Sequence, residues 1–454
     1  MEMTTTRRTF IGGAAALAAW PAASAEPCAE SAAGASPWET PDGLATDSVM
    51  VRRLHLDLAG RIPTKEEAQA YVLGGKPGRR KALVDRLLAS DDFADYWAMR
   101  FCDVLRVKSE FPINLWPNAV YVYHGRIRRF VKGNESWASF GRSLLTAQGS
   151  DFRDAESNFF RATDRRTPEG WAEATAQTFL GIPPAELSPE RRSALAEYFA
   201  NVKIKNTREW KEEIVYVDGT DRRGELCGRL FVDDRAEVSA AFHRLLRGWL
   251  LGSGSGTGSG GGAVGGAMRI KDAIRGIVLS KEYARGSVTG GFPVRRLDAE
   301  VLDDAFCSLG GTGRSYFSPA PEPFSFLPPS RKTVCIEDGS ISSGFLTLFG
   351  RPARDTGLQS ERGGDVTAKQ RLYLFNSGQL ARQIDGIVRS AGDKASFRER
   401  IEDIYWRVLS RAPTAREADF LDEERRRRGK RGWSEVPREL TWCLVNTKEF
   451  LFRV

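Results

Sequence analysis

The sequence predicts a mainly α-helical protein built from two helical domains. Apolar residues recur at helical spacing along most of the chain, most clearly at Ile401, Ile404, Tyr405, Val408 and Leu409. One glycine-rich segment divides the chain into two parts, each long enough to form a domain. The same residue pattern, typical of a sharp corner between two helices, occurs once in each part. We therefore expect two helical units of similar construction.

Residues 1–25 have the organisation of a secretory leader. Arg7 and Arg8 precede a short apolar stretch, and the small residues of Ala23-Ser24-Ala25 form a cleavage site. Paired arginines at this position are typical of twin-arginine signals, which export folded chains. We therefore predict cleavage at that site, a location in the periplasm or cell envelope, and an N-terminal linker over residues 26–47.

The composition narrows the choice of partner. The chain of 454 residues has 67 basic and 59 acidic side chains, a formal net charge of +8. For an exported protein this excess favours an acidic protein or an anionic polysaccharide as partner, and we expect no nucleic acid. No segment after the leader has the roughly 18 consecutive apolar residues of a membrane span. We therefore expect no transmembrane segment once the leader is removed.

The first helical domain is predicted over residues 48–250. Within it, residues 214–217 alternate as a strand does, and with a turn at Asp218-Gly219 and residues 226–232 they predict a small β-hairpin. Residues 251–267 are rich in glycine and serine and predict a linker, because glycine loses much backbone entropy when it is ordered.

The second helical domain is predicted over residues 268–454. Residues 310–329 are rich in proline, glycine and serine, so an irregular stretch is expected there. Elsewhere in this part the apolar residues follow the helical period.

Two short patterns recur along the chain. Residues 61–68 and 411–418 share R-x-P-T-x-x-E-A, in which proline ends one helix while threonine and glutamate form the capping box of the next. A second pattern places an aromatic residue three positions after a hydroxyl residue that can cap a new helical turn. Its three copies are Ser90 with Phe93, Ser280 with Tyr283, and Thr447 with Phe450.

The six cysteines are scattered singly, without the C-x-x-C spacing of a metal clip. Cys102 and Cys443 lie in apolar helical patterns and are expected to be buried thiols. Cys307 and Cys335 are the pair that we favour for a disulfide, since the predicted compartment is oxidising.

Several segments together resemble a known family. They are residues 53–64, 83–90 and 175–181 with Trp97, Asp103 and Arg106 in the first part, and residues 295–302, 349–354 and 440–451 in the second. The sequence resembles the planctomycete-type, cytochrome-associated two-domain proteins of unknown function (domains of unknown function 1549 and 1553). The resemblance covers about residues 48–250 and 268–454.

The resemblance implies two cysteine elements that this chain lacks. Relatives commonly carry C-x-x-C-H after the Phe-Leu-Gly element, similar to a c-type haem attachment or metal site, whereas here residues 182–189 contain neither cysteine nor histidine. They also carry C-x-C before Glu-Arg, where this chain has Leu358-Gln359-Ser360. We hypothesise that the two elements form one site across the domain interface and were lost together, because half a soft-ligand shell binds metal poorly. We therefore predict no metal and no cofactor.

Two sets of residues are candidates for function outside those elements. Asp57, Arg86, Asp103 and Arg106 border apolar helix faces, and form either an interhelical salt-bridge network or a binding site. His124 is the candidate general base by exclusion, since the sequence contains three histidines and none has another three or four residues away.

The densest basic run is at residues 425–431. It consists of Arg425, Arg426, Arg427, Arg428, Lys430 and Arg431. One interpretation is a solvated helix end, where cations interact favourably with the helix dipole. The alternative is a docking patch for an acidic partner or polymer.

These observations favour an exported, non-catalytic binding or assembly protein. The alternatives are a hydrolase or redox enzyme that acts on an extracellular polymer, and a lapsed paralogue that pairs with an intact, cysteine-bearing relative. Whether the protein is an enzyme stays open at the level of sequence.

Overall fold

The computed structural model describes residues 38–231, 236–252, 268–320, 323, 326–392 and 396–454. The predicted signal peptide, residues 26–37 of the predicted N-terminal linker and residues 253–267 of the glycine-rich linker lie outside the described residues. We call residues 38–252 the first lobe and residues 268–454 the second lobe. No helix among the described residues is both long enough and apolar enough to cross a membrane.

Helices dominate both lobes, as the sequence predicts. The first lobe contains α1 (Asp47–Ala59), α2 (Lys65–Val72), α3 (Arg79–Ala89), α4 (Asp91–Val104), α5 (Pro117–Lys132), α6 (Trp137–Leu145), α7 (Asn158–Arg161), α8 (Pro168–Thr175), α9 (Pro189–Ala196), α10 (Arg223–Leu230) and α11 (Ala236–Leu251). The second lobe contains α12 (Ile270–Leu279), α13 (Ala299–Gly310), α14 (Gly344–Leu348), α15 (Ala368–Asn376), α16 (Gly378–Ser390), α17 (Phe397–Leu409), α18 (Ala415–Arg428), α19 (Gly432–Val445) and α20 (Lys448–Leu451). The described residues of the predicted irregular stretch after α13 form turns and extended backbone.

Two small antiparallel sheets complete the fold. Strands β1 (Gly149–Ser150), β2 (Val202–Asn206) and β3 (Glu213–Val217) form a sheet in the order β1-β3-β2 in the first lobe. In the second lobe β4 (Arg295–Arg296) pairs with β5 (Phe452–Arg453).

A β-hairpin that contains residues 214–217 is present, but the predicted partner of this strand was wrong. Strand β3 pairs with the preceding strand β2, in a register that places Val202 opposite Val217 and Ile204 opposite Val215. The expected second strand was residues 226–232, but residues 226–230 belong to helix α10, which buries Leu226 and Leu230. Those two apolar residues lie four positions apart, a spacing that suits a helix face as well as a strand of mixed polarity.

The corner pattern forms capping boxes in both lobes, which confirms the prediction. The Thr64 side chain accepts from the backbone N–H of Glu67 while the Glu67 carboxylate accepts from that of Thr64, and Thr414 with Glu417 does the same. The hydroxyl groups of Ser90, Ser280 and Thr447 accept from the backbone N–H groups of Phe93, Tyr283 and Phe450. Each of these three aromatic side chains is fully buried.

The arginine of the corner pattern connects the two recurring patterns. Arg61 donates to both carboxylate oxygens of Glu67 at 2.7 and 2.9 Å and to Asp92 at 2.7 Å. In the second lobe Arg411 donates to Glu417 at 2.9 and 3.0 Å and to Glu449 at 2.9 Å. Both lobes therefore hold a helix corner against the following cap by the same bidentate arginine contact.

The two lobes share one continuous hydrophobic core, which extends from Met50 to Leu451. In the first lobe Trp137 contacts the rings of Phe101, Phe179 and Phe242 at centroid distances of 5.2 to 5.5 Å. Close aromatic packing of this kind excludes water from the centre of the lobe.

The start of the described chain also contacts the second lobe. Ala45 donates its backbone N–H to the carbonyl of Ala284, and the Glu39 carboxylate accepts from the backbone N–H groups of Val288 and Gly290. Part of the predicted N-terminal linker therefore belongs to the interface between the lobes.

The predicted disulfide between Cys307 and Cys335 was wrong, because both are free thiols. Cys307 lies in α13, where Gln383 donates to its Sγ at 3.3 Å, and Cys335 ends a short 3-10 turn. Burial raises the pKa of the Cys335 thiol to about 12. Cys102 and Cys443 are buried thiols, as predicted.

Helices α13 and α16 approach so closely that only glycine fits between them. A β-carbon on Gly386 would lie 1.9 Å from the carbonyl oxygen of Gly310, and one on Gly310 would lie 2.7 Å from Cα of Gln383. This contact positions α13, whose first residues reach the cavity described below.

We expect Gly386→Ala to destabilise the protein by about 3 kcal/mol, since the added methyl must push two backbones apart. Gly276 provides the matched control, because it lies in α12 with nothing near its β-position. Gly276→Ala should instead stabilise by about 0.5–1 kcal/mol through better helix propensity. Urea denaturation measures both, and equal effects of the two substitutions would contradict the helix contact.

Candidate functional site

A cavity of about 480 Å³ lies between the two lobes. This volume falls in the range of small-molecule sites. The first lobe contributes residues from the end of α1, from α4 and from the end of α11, and the second lobe contributes β4, the start of α13, the loop over residues 352–364 and β5. Apolar side chains such as Leu56, Val104 and Leu358 line part of the wall.

The charged side chains of the wall are mostly cations. Five arginines and three aspartates line the cavity, which leaves a formal excess of two positive charges. The arginines are Arg100, Arg295, Arg296, Arg362 and Arg453, and the aspartates are Asp57, Asp103 and Asp298.

The short β4–β5 ladder brings two of these arginines together. Arg295 and Arg453 are directly opposite in the antiparallel register, so their side chains leave the same face of the ladder. Like charges at such positions repel each other. Burial, with the charge of Arg453 adding to it, lowers the pKa of Arg295 to about 10. Arg295 is held by the backbone carbonyl of Gly248, at 2.9 Å in the last turn of α11.

Arg453 is 94% buried and only partly satisfied. Its Nη1 donates to Asp57 Oδ1 at 2.7 Å, whereas Nε and Nη2 have no hydrogen-bond partner among the described residues. The other oxygen of Asp57 accepts from the Tyr283 hydroxyl at 2.6 Å. Buried donors without partners are costly. The guanidinium of Arg453 therefore retains the capacity to bind an acceptor.

Asp103 connects the lobes through two arginines of the second lobe. Arg354 donates to one of its oxygens at 2.9 Å and Arg362 to the other at 2.7 Å. Arg362 also donates to the fully buried Glu300 at 2.6 Å. Burial alone would raise the pKa of Asp103, but the charges of Arg362 and Arg354 outweigh it and the pKa is lowered.

Asp298, a carboxylate of the second lobe, connects the lobes in the opposite direction. It receives hydrogen bonds from Arg100 and from the Tyr96 hydroxyl, both on α4. Burial opposes ionisation of Asp298, but Arg100 and Arg362 favour it more strongly, and the net effect lowers its pKa to about 2. Each lobe therefore supplies a carboxylate that the arginines of the other lobe neutralise.

The structure separates the four polar candidates that the sequence put forward. Asp57 and Asp103 both line the cavity. Arg106 is buried behind it, donating to the Ala162 carbonyl at 2.6 Å and packing against Gly357 of the cavity loop. Arg86 lies on the exposed face of α3, away from this cluster, and forms no ion pair with a described residue.

His124 lies in α5 and is not among the residues that line the cavity. Burial, together with the charges of Arg354 and Arg331, lowers the pKa of His124 to about 3. The imidazole is therefore neutral near pH 7 and a weak proton acceptor. Its position gives no support to a general-base role at the cavity.

Two of the six cations of the basic run are neutralised within the second lobe. Arg427 and Arg428 pair with Glu424, and Arg428 also pairs with Glu439. Arg425 lies against the rings of Phe397 and Trp433. Arg426, Lys430 and Arg431 are exposed and pair with no carboxylate of a described residue. The run lies at the end of α18, which agrees with the interpretation as a solvated helix terminus.

The chain just before the first segment that lacks the implied cysteines, and the second such segment itself, both lie against α11. After α8 the chain makes a π-helical turn over Ala176–Leu180, and the β-position of Gly181 lies 3.6 Å from Ala241. Gln359 Oε1 lies 3.5 Å from the β-position of Gly248. Since seven residues of helix span about 10 Å and return to the same face, Gly181 and Gln359 lie on one side of α11.

The residues at this place do not fit a haem or a soft metal ion. The segments supply isoleucine, proline, leucine, glutamine and serine where the resemblance implies thiolates and imidazole. Across the described part of the chain no three histidine, cysteine, aspartate or glutamate side chains are grouped as metal ligands would be. We derive no chemistry from such a group.

Two known families match consecutive parts of this chain. One family model, PSCyt2, described as a protein of unknown function (DUF1549), matches residues 36–214. A second, PSD1, described as a protein of unknown function (DUF1553), matches residues 264–424. This chain belongs to the two-domain PSCyt2–PSD1 family. No curated protein and no solved structure matches it.

The cavity lies between the two PSCyt2–PSD1 regions. Arg100 and Asp103 fall in the first, and Arg295, Asp298 and Arg362 in the second. Trp249 and Arg453 fall outside both. Sequence reasoning missed all the arginines of the cavity wall, although the resembling segments and the Glu-Arg element contained Arg295, Arg296 and Arg362. No motif or pattern in the sequence indicated that Arg453 lines a cavity.

We expect the stability contributed by Asp298 to depend on pH. Because its folded pKa of about 2 lies below the ordinary 3.8, the ionised form stabilises the fold above about pH 4, and this contribution disappears as the pH falls towards 2. The shift corresponds to on the order of 2 kcal/mol. Asp298→Asn should cost about 3 kcal/mol at pH 7, since it leaves Arg100 without a carboxylate, and less at low pH.

Urea midpoints of wild type and variant from pH 7 to pH 3 measure this difference. Asp419→Asn is the matched control, because the pair of Asp419 with Arg398 is exposed and should contribute at most about 0.5 kcal/mol. A cost of Asp298→Asn that stays constant over this pH range would contradict the assignment.

Proposed function

We propose that this protein is an exported, non-catalytic binding protein of the periplasm or cell envelope, and that its cavity takes a small molecule with an oxyanion group. A carboxylate, a sulfate or a phosphate has the required chemistry. The single observation that carries the proposal is the cross-strand pair of Arg295 and Arg453, in which the buried Arg453 is bonded to Asp57 and the half-buried Arg295 is held by backbone carbonyls.

An oxyanion would resolve the electrostatic imbalance of the wall. Nε and Nη2 of Arg453 are buried and have no hydrogen-bond partner among the described residues. Guanidinium groups are suited to bidentate contact with a carboxylate or phosphate, so a shift of the Arg453 side chain towards the cavity would offer both donors to one oxyanion. The negative end of the α11 dipole offsets part of the positive charge, because the carbonyls of Gly248 and Trp249 accept from Arg295. A helix dipole supplies about half a unit charge, less than the excess of two.

The wall also supports binding of an organic anion in preference to a bare ion. Trp249, Leu56 and Val301 offer apolar contact beside the arginines, and the volume admits a molecule of several non-hydrogen atoms. Binding to the folded state alone raises stability by mass action. The proposal therefore predicts ligand-dependent stabilisation.

We expect glucuronate, sulfate and phosphate to raise the melting temperature more than chloride at equal ionic strength or glucose. At a hundredfold excess over Kd the stabilisation is about 2.7 kcal/mol. Arg295→Gln should abolish this rise, since it removes one of the two guanidinium groups without leaving a carboxylate unpaired. Arg86→Gln is the control, an exposed arginine outside the cavity. If no oxyanion stabilises the wild type, or if Arg295→Gln responds fully, the binding proposal fails.

Export is tested separately. With Arg7→Lys and Arg8→Lys together, the leader keeps its charge but loses the arginine pair, and we expect the uncleaved precursor to accumulate in the cytoplasm. Cell fractionation with immunodetection measures this, and Thr5→Ala serves as the control. Normal export of the double variant would exclude the twin-arginine route.

A further inference from the structure

We propose that the β2–β3 hairpin of the first lobe is a second binding surface, which takes an acidic polysaccharide. The surface consists of Trp210 and Lys211 at the tip of the hairpin, Lys203 and Lys205 on β2, and Arg208 in the turn. Trp116, directly before α5, packs against Trp210 and completes the surface. Neither the family models nor the predicted site residues include a role for it. The choice of a glycan over a nucleic acid rests on the export in the proposed function.

The first observation is an exposed aromatic platform. Trp210 is 71% exposed, and its ring meets that of Trp116 edge-on at a centroid distance of 6.3 Å. Exposed apolar surface that is continuous over more than one side chain is typical of interaction sites. The apolar face of a sugar ring, formed by its C–H groups, can stack on such an indole face.

The second observation is the charge around the platform. Lys203, Lys205, Arg208 and Lys211 are all exposed, and none forms an ion pair with a described carboxylate. Glu209 is the one exposed acid in this stretch, so residues 203–211 have a net charge of +3. Lys203 and Lys205 leave the same face of β2, as alternate residues of a strand do. A cationic row beside an aromatic platform complements a polymer with regularly spaced carboxylates.

The third observation is that hydrogen bonds anchor the tip to the sheet. The buried Glu212 accepts from the Thr207 hydroxyl at 2.7 Å and from the Ser150 hydroxyl at 2.5 Å, which ties the turn to β1. Lys211 adopts the left-handed conformation with φ of 65°, which is unfavourable for a residue with a side chain. Its ammonium group lies 5.7 Å from the ring centre of Trp116 and 5.5 Å from that of Trp210. The turn therefore fixes a cation directly beside the two rings.

Hexagalacturonate is the probe, and isothermal titration calorimetry measures its affinity. We expect Trp210→Ala to weaken binding about tenfold, and Lys203→Gln with Lys205→Gln to weaken it and reduce its salt dependence. The fully methyl-esterified hexamer, which has the same rings without charge, should bind much more weakly. Because Trp210 is exposed, the variant should keep the wild-type melting temperature, and it should keep the response to glucuronate that the cavity is expected to give.

Two controls locate the effect. Phe317→Ala removes another exposed aromatic side chain, on the second lobe, and Arg426→Gln with Lys430→Gln removes charge from the basic run. Both should bind the hexamer normally. The proposal is overturned if the wild type does not bind the hexamer, if Trp210→Ala binds it normally, or if the basic-run variant loses binding instead. It is also overturned if the methyl ester binds as tightly as the hexamer, or if oligothymidylate binds more tightly. A glucuronate response without hexamer binding leaves the cavity proposal standing alone.

Discussion

The burial of guanidinium groups between the two lobes is the constraint on which the rest of the structure depends. Arg52 and Arg53 of α1 are almost fully buried, and their acceptors are backbone carbonyls of the second lobe, such as those of Val408, Phe450 and Tyr283. Asp103 of the first lobe is neutralised by arginines of the second, and Asp298 of the second by Arg100 of the first. A buried ion that loses its partner costs several kcal/mol. Neither lobe can therefore keep these groups satisfied alone, and we infer that the lobes fold and unfold together.

The same constraint explains why the cavity lies where it does. The polar groups of the interface are paired densely around Asp103 and Asp298. At the β4–β5 ladder, by contrast, the register places Arg295 beside Arg453, and Asp57 is hydrogen-bonded to Arg453 but not to Arg295. Filling this place with apolar side chains would leave the guanidinium groups without solvent or counter-ion. An open, partly solvated volume is the alternative that electrostatics permits. The cavity is thus a consequence of the interface charges, and an anion would complete the pattern that the lobes leave unfinished.

Local features of this fold could be predicted from the sequence, and long-range ones could not. The capping boxes at Thr64 and Thr414 are determined by residues within one turn, so the pattern alone predicted them. The partner of β3 was missed because the run from residue 226 is the more apolar of the two, although residues 202–205 alternate apolar and polar side chains as a strand does. Arg86 and Asp57 look equivalent in sequence, since both border apolar helix faces. They differ in burial, because Asp57 is covered by contacts that include Arg453, almost 400 residues away in the sequence, whereas Arg86 is exposed.

The position of α11 connects the family relationship to the cavity. Its Ala241 faces Gly181, directly before the first segment in which this chain departs from the implied cysteine elements, and its Gly248 faces Gln359 of the second. Its last carbonyls hold Arg295. Gln177, in the π-helical turn, donates to the Thr356 carbonyl at 2.8 Å and so joins the parts of the chain that lead into the two segments. That both elements form one site across the interface in relatives stays a hypothesis. Since glutamine, serine and arginine bind oxyanions and not soft metal ions, a chain that lacks the thiolates still presents at this interface a wall suited to hold a ligand by hydrogen bonds and charge.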